Sequence, residues 1–145
     1  MSGSATAGLN PRQQDRIQAV LDACRQENDL DISVVVGDVA IPDLSGFRAA
    51  CERLHASLGE RAVAAVLVVV APGQRRVEVV TGPGVRRRVP DRVCALAVLS
   101  MSTAFGGGDL VGGIVDGVRQ LAASAGRRLD LPDTRRRSGE LVRQR

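Results

Sequence analysis

"AVAAVLVVVAPGQRRVEVVTGPGVRRRVPDR", residues 62–92, holds two apolar runs, two turns rich in Pro and Gly, and three consecutive arginines. "AVAAVLVVVA" is uncharged and rich in Val, as expected of a strand buried on both faces. "APGQ" (71–74) puts Pro and Gly at the centre of a tight turn, so "RRVEVVT" should return antiparallel. The chain then leaves through Gly82-Pro83-Gly84 and reaches Pro90, a residue suited to open a helix.

The flanking segments extend this frame. "LDISVVVGD" (30–38) reads as a second buried strand, ended by Ile41-Pro42-Asp43. A helix follows from about Leu44 to Leu58, with Phe47, Ala50, Cys51, Leu54 and Leu58 on one stripe. Further upstream, Asn10 is an N-cap, Pro11 occupies the first helical position and Gln13 completes a capping box. Ile17, Val20, Leu21 and Cys24 give that helix its apolar face, and it should end near Asn28-Asp29. The helix from Pro90 is apolar nearly all round through Leu99, which predicts burial. After Gly106-Gly107-Gly108, Asp109 caps a last helix that buries Leu110, Ile114, Val118 and Leu121. Residues 1–9 are small and polar and should be disordered. The Arg-rich segment from 126 to 145 should be a mobile tail, which leaves one domain over 10–125. The predicted fold is α/β: a three-layer α/β/α sandwich with a small mixed sheet. Its first two strands should be parallel through a right-handed crossover, with the third antiparallel.

Composition narrows the function classes. A chain of 145 residues can bury a core without disulfides or metal. There is no Trp or Tyr, and the aromatics are Phe47 and Phe105, so recognition of bases by stacking is not expected. All 20 basic residues are Arg. The net charge of +4 resides in residues 126–145, where seven Arg face Asp130, Asp133 and Glu140. The remainder is balanced, so nucleic acid is not an expected partner of the folded domain. Cys24, Cys51 and Cys94 are widely spaced and suit unpaired thiols in a reducing compartment. "MSGSATAGLN" lacks the features of a signal peptide, and Val93–Gly108 falls short of a bilayer span. The expectation is a soluble, cytoplasmic protein.

The second half of the chain resembles the TPM domain family. A return strand with Arg76, Val77 and Val79 closes on Gly82, and Pro90-Asp91 stands at a helix start. Phe105, Gly108, Asp109, Gly113, Ile114 and Gly117 follow at the spacing of that family's last helix. The match covers about residues 30–122, with "ISVVVGDV" and "LHASLGE" fitting more loosely. It is most similar to an uncharacterised, stand-alone actinobacterial branch. The resemblance implies an α/β/α sandwich. The family's activities include a lumenal acid phosphatase linked to photosystem repair, calcium-binding bacterial members and a membrane-tethered receptor accessory protein.

Several residues are site candidates. Arg86, Arg87 and Arg88, beside the Gly-rich turn, can bind phosphate; the competing reading is a plain strand-to-helix turn with a solvated basic face. Asp91 is either an acid in a helix first turn or a hard oxygen ligand for Ca²⁺ or Mg²⁺. In the family a neighbouring Asp-Asn-Gly shares the ion with the Leu-Pro-Asp carboxylate. This chain has "RAVAAV" there, with Glu60 and Arg61 nearby. Asp38 and Asp43 form a second candidate loop at the carboxyl end of the first strand, at the opposite end from Asp91. Cys51 and His55 stand four apart, but Cys51 lies on the apolar stripe and no orienting group is evident. Without another His there is no Ser-His-Asp triad.

The function expected from these features is a non-catalytic binding or interaction module, acting on a protein partner or by self-association. Such a module should expose an apolar patch or an unpaired sheet edge along the return strand. The alternative is a divalent-metal-assisted, acid phosphatase-like hydrolase, with Asp91 as ligand and Arg86 to Arg88 as phosphate binders. It should show carboxylates clustered near Asp91.

Overall fold

A computed structural model describes residues 3–6, 8–41 and 46–127, with the backbone alone described over 3–6. Asp43 and most of the expected tail, residues 128–145, lie outside the described residues. The elements in chain order are β1 (Gly3–Thr6), α1 (Pro11–Asn28), β2 (Asp31–Val36), α2 (Gly46–Ala56), β3 (Ala65–Ala71), β4 (Arg76–Thr81), α3 (Asp91–Gly106) and α4 (Leu110–Ala125). A 3₁₀ turn over Gly59–Ala64 leads into β3, and another over Pro72–Gln74 makes the hairpin.

The four strands among the described residues lie side by side in chain order. β1, β2 and β3 are parallel, with Ile32 opposite Val66, and β4 is antiparallel, with Val79 opposite Val68. Alternation along the strands sends Ile32, Val34, Val66, Val68, Val70, Val77 and Val79 into a core beneath α1, α3 and α4. Leu67, Val69, Ala71 and Val80 face the other way, against Phe47, Ala50 and Cys51 of α2. The result is the expected three-layer α/β/α sandwich around a mixed sheet. Because α1 and α2 lie on opposite faces while β1, β2 and β3 follow in order, their two crossovers have opposite hands. The usual right-handed rule holds for one of the two.

Local signals place the helices well. Asn10 Oδ1 accepts from Gln13 N–H at 2.8 Å and Gln13 Oε1 accepts from Asn10 N–H at 2.9 Å, closing the capping box. Asp109 Oδ1 caps α4 by accepting from Gly112 N–H at 3.0 Å. Gly113 and Gly117 let α3 approach α4: a Cβ would stand 2.8 Å from Ala104 and Phe105 at the first, and 2.6 Å from Met101 at the second. These glycines serve helix packing.

Two expectations are corrected. Gly3–Thr6, within the segment expected to be disordered, pairs with Ser33–Val36 as the strand next to β2. Such pairing uses backbone groups alone, so small polar residues carry no signal of it. α3 was expected to be buried all round, yet it buries only Cys94, Ala97 and Met101. Leu96 and Leu99 are 61% and 64% exposed, because among the described residues α3 packs chiefly on α4 and β4.

All three cysteines are free and buried. Burial raises the pKa of each thiol, and Cys51, with Glu78 adding to the effect, is pushed up to about 11. An unfolded thiol titrates near ~8.5. The stability contributed by the neutral Cys51 thiol is therefore complete below about pH 8.5 and is lost as pH rises towards the folded-state value. With no Lys and no Tyr in the chain, thiols dominate that window. Urea unfolding measured from pH 8 to 11 should show stability falling, with a shallower fall in Cys51→Ala. Identical pH slopes for the two proteins would contradict this assignment.

Candidate functional site

The Gly-rich turn after β4 is built around a close backbone approach. Gly82 N–H donates to Ala65 O at 3.0 Å and Gly84 N–H donates to Val63 O at 2.7 Å. A Cβ on Gly82 would overlap the carbonyl oxygens of Ala62 and Val63, and one on Gly84 would lie 2.9 Å from Val63 O. Glycine is therefore required by the neighbouring 59–64 turn. Val85 N–H donates to Gly82 O, and both Arg88 and Val89 donate to Val85 O. A phosphate cradle needs free, convergent N–H groups. Here the amides of Gly82, Gly84 and Val85 already have carbonyl partners, and Pro83 has none to give.

The three arginines do not converge. Arg86 donates to Thr81 O at 3.3 Å, and Arg87 is exposed. Arg88 donates to Asp29 O at 2.9 Å, to Ala125 O at 3.3 Å and to Asn28 O. Its own carbonyl accepts from Ser124 Oγ at 2.9 Å. Arg88 thus binds the carboxyl ends of α1 and α4 together, where unsatisfied carbonyls and the helix dipoles favour a cation.

Part of the β4 edge is covered in a similar way. The Gly82–Ala65 bond sets the ladder so that residues 77, 79 and 81 turn their backbone groups away from β3. Arg48 of α2 donates to Val79 O at 2.9 Å and pairs with Glu78 at 2.7 Å, while Arg86 covers Thr81 O. The edge anticipated as a docking strand is blunted by two guanidinium groups.

The acidic candidates are dispersed. Asp91 is the exposed first residue of α3. Arg61 binds Asp31 in a fork, at 3.2 and 3.0 Å, and also donates to Ser33 Oγ at 3.2 Å. The Asp31 carboxylate is 11% exposed, with Arg25 at 3.9 Å. Among the described residues, no three His, Cys, Asp or Glu side chains lie close enough together to hold a metal ion. Asp38 is exposed after β2 and lies against Gly73 of the hairpin, while Gln74 holds Val39 by both backbone groups at 2.9 and 3.2 Å. Asp38 and Asp91 stand at opposite ends of the sheet, as expected. His55 is buried and donates from Nε2 to Ala65 O at 3.0 Å, and Cys51 is fully buried, so the pair is part of the core.

What the surface does present is a largely apolar stripe. Ala95, Leu96, Leu99 and Ser102 recur at helical spacing on the outer side of α3. The stripe runs into a cleft of about 550 Å³, lined by Ser102, Phe105, Val77, Leu110 and Pro72, with Arg75 and Arg76 at the hairpin. Arg75 takes up a left-handed conformation there, with φ 53°.

A family profile described as "Domain of unknown function (DUF5130)" matches residues 5–122. A curated relative, the uncharacterised protein Rv2468c of Mycobacterium tuberculosis, is 42% identical over 59 residues. That match spans 41% of this chain and 35% of the relative, so the chain covers about a third of its length. An N-terminal domain of a Porphyromonas gingivalis protein (P.gingivalis) has a similar solution structure, with TM-score 0.66 and 22% identity over 85% of this chain and 80% of that one. The BA42 protein of Bizionia argentinensis is similar at TM-score 0.68 and 17% identity, over 82% of each chain. At these identities the solved structures support the fold alone.

Two substitutions test the structural assignment of the turn. Gly82→Ala forces the turn off the 59–64 backbone and should lower stability by about 3 kcal/mol or prevent folding. Arg88→Ala removes a charged donor from three carbonyls and should cost about 2 kcal/mol, against less than about 0.5 kcal/mol for Arg87→Ala. Urea titration measures all three; equal effects at 87 and 88 would refute the clamp.

Proposed function

The chain belongs to the DUF5130 family, a domain of unknown function, and we infer that it is a binding module that engages a protein partner through the outer face of α3. The observation that carries this reading is the exposure of Leu96 and Leu99, at 61% and 64%, on one stripe beside a cleft. Single exposed leucines are ordinary; two on one helix face, leading through Ser102 into a cleft that mixes apolar side chains with Arg75 and Arg76, suit a docking surface with a polar rim. Covering both leucines would supply roughly 2–3 kcal/mol of apolar transfer energy. We read the chain further as a TPM-type domain, since the hairpin, the Pro90-Asp91 helix start and the Phe105–Gly117 pattern fall on β4, α3 and α4. Three buried, unpaired thiols suit a reducing compartment such as the cytoplasm. Among the described residues, no helix is long and apolar enough to cross a membrane.

The hydrolase reading would need phosphate-binding arginines and metal-holding carboxylates gathered at Asp91. Arg88 is engaged on helix carbonyls and Arg61 on Asp31, so neither favours it.

The test is the double variant Leu96→Asp, Leu99→Asp in the full chain. Its melting temperature should stay within about 2 °C of the parent, because both positions are exposed. A protein cross-linked to the parent in the source cell, and equally to Asp91→Asn, should be lost from the double variant. Equal cross-linking of all three proteins would sink the α3 reading. Hydrolysis of p-nitrophenyl phosphate with Mg²⁺, Ca²⁺ or Mn²⁺ that disappears in Asp91→Asn would establish the enzyme instead.

A further inference from the structure

A second surface, remote from the outer stripe of α3, lies between α1 and α4. These helices run parallel. At one end Asn28 Nδ2 donates to Ala122 O at 3.2 Å and Gly126 O at 2.8 Å; at the other, Arg12 lies beside Leu110. Along their outer side runs a groove of about 550 Å³. Ala19, Ala23 and Ala123 form its walls, and their small size leaves the trough open. Glu27 stands at the end where α4 stops, with Arg119 and Arg16 progressively further back.

The chain leaves α4 at the Glu27 end. Gly126, with φ 83°, turns it out of the helix, and Asn28 ties down its carbonyl. The sequence then reads Arg127-Arg128-Leu129-Asp130-Leu131-Pro132-Asp133. We propose that residues 128–133 of this same chain occupy the α1/α4 groove, running back from Gly126 towards Arg16.

Charge order and length both match. Along the segment the order is basic, apolar, acidic, apolar, acidic. Along the groove it is acidic Glu27, the alanine walls, then Arg119 and Arg16. In an extended segment Leu129, Leu131 and Asp133 would share the side facing the groove, with Asp133 at its Arg16 end, while Arg128 and Asp130 would turn to the rim. Glu27 and Arg16 are separated by about 16 Å along the helix, and an extended chain covers about 16 Å from Arg128 to Asp133. Pro132 lacks an N–H, which an occupant lying between two helices and outside any strand ladder would not need. Arg119 now pairs with Asp116 at 3.9 Å, both well exposed, which leaves it ready to meet a second carboxylate.

The experiment compares amide NMR spectra of the full chain with those of three full-length variants. Leu129→Ser with Leu131→Ser should shift signals of residues 16–27 and 115–123, leaving those of α2 unmoved. Asp130→Arg should shift the same set, and adding Arg119→Asp should restore most of it. Shifts confined to the substituted residues and their sequence neighbours would overturn the proposal. So would groove shifts that grow with protein concentration, since these would place a second copy's segment in the groove.

Discussion

β3 is buried along all seven of its residues, so both its faces and both its edges must be covered. A strand with no polar side can be kept from water only by a layer above, a layer below and a strand on each side. The rest of the architecture answers that demand: α1, α3 and α4 on one face, α2 on the other, and β2 and β4 along the edges. The constraint is sharpest where β3 begins. The Ala65 carbonyl accepts from Gly82 N–H and from His55 Nε2, both at 3.0 Å. One oxygen thus joins the start of β3, the exit of β4 and the end of α2. Both glycines of the turn and the only His of the chain are explained by closing that corner.

Arginine carries much of the remaining polar organisation. Helix carboxyl ends and sheet edges leave carbonyls without partners, and a guanidinium with five donors can satisfy several at once. Arg88 does so for α1 and α4, and Arg48 and Arg86 do so for β4. This also explains why the Arg86–Arg88 triplet resembles a phosphate site in the sequence. A phosphate oxygen and a helix-terminal carbonyl ask for the same donor, and only the fold decides which one is within reach.

The sequence speaks clearly wherever a signal is local. The capping box at Asn10, the Asp109 cap and the Pro72–Gln74 turn each depend on residues within four positions of one another, and each forms as the spacing predicts. Contacts between distant residues are silent. Arg61, in the segment where the resembled family carries its second carboxylate, grips Asp31, thirty positions away, because the parallel register brings Ala65 beside Asp31. Arg48 reaches Val79 across the sheet edge with no sequence signal. β1 pairs through backbone groups that any residue supplies. α3 marks a different limit: periodicity reports which faces of a helix are apolar, not whether the domain has enough neighbours to cover them.

That limit bears on function. Polar residues at positions 96 and 99 would leave the packing of Cys94, Ala97 and Met101 on α4 and the sheet untouched, so the domain's own stability does not call for leucine there. On the proposed reading, the apolar character of that face answers to a partner and not to the folded unit. The α1/α4 trough is the converse case, where alanines thin the surface and leave room for a narrow occupant. α4 packs between α3 and α1 and separates the two surfaces. An occupant of the trough therefore need not displace a partner on α3. Both rest on α4, and Arg88 fixes its carboxyl end to the turn that leads into α3.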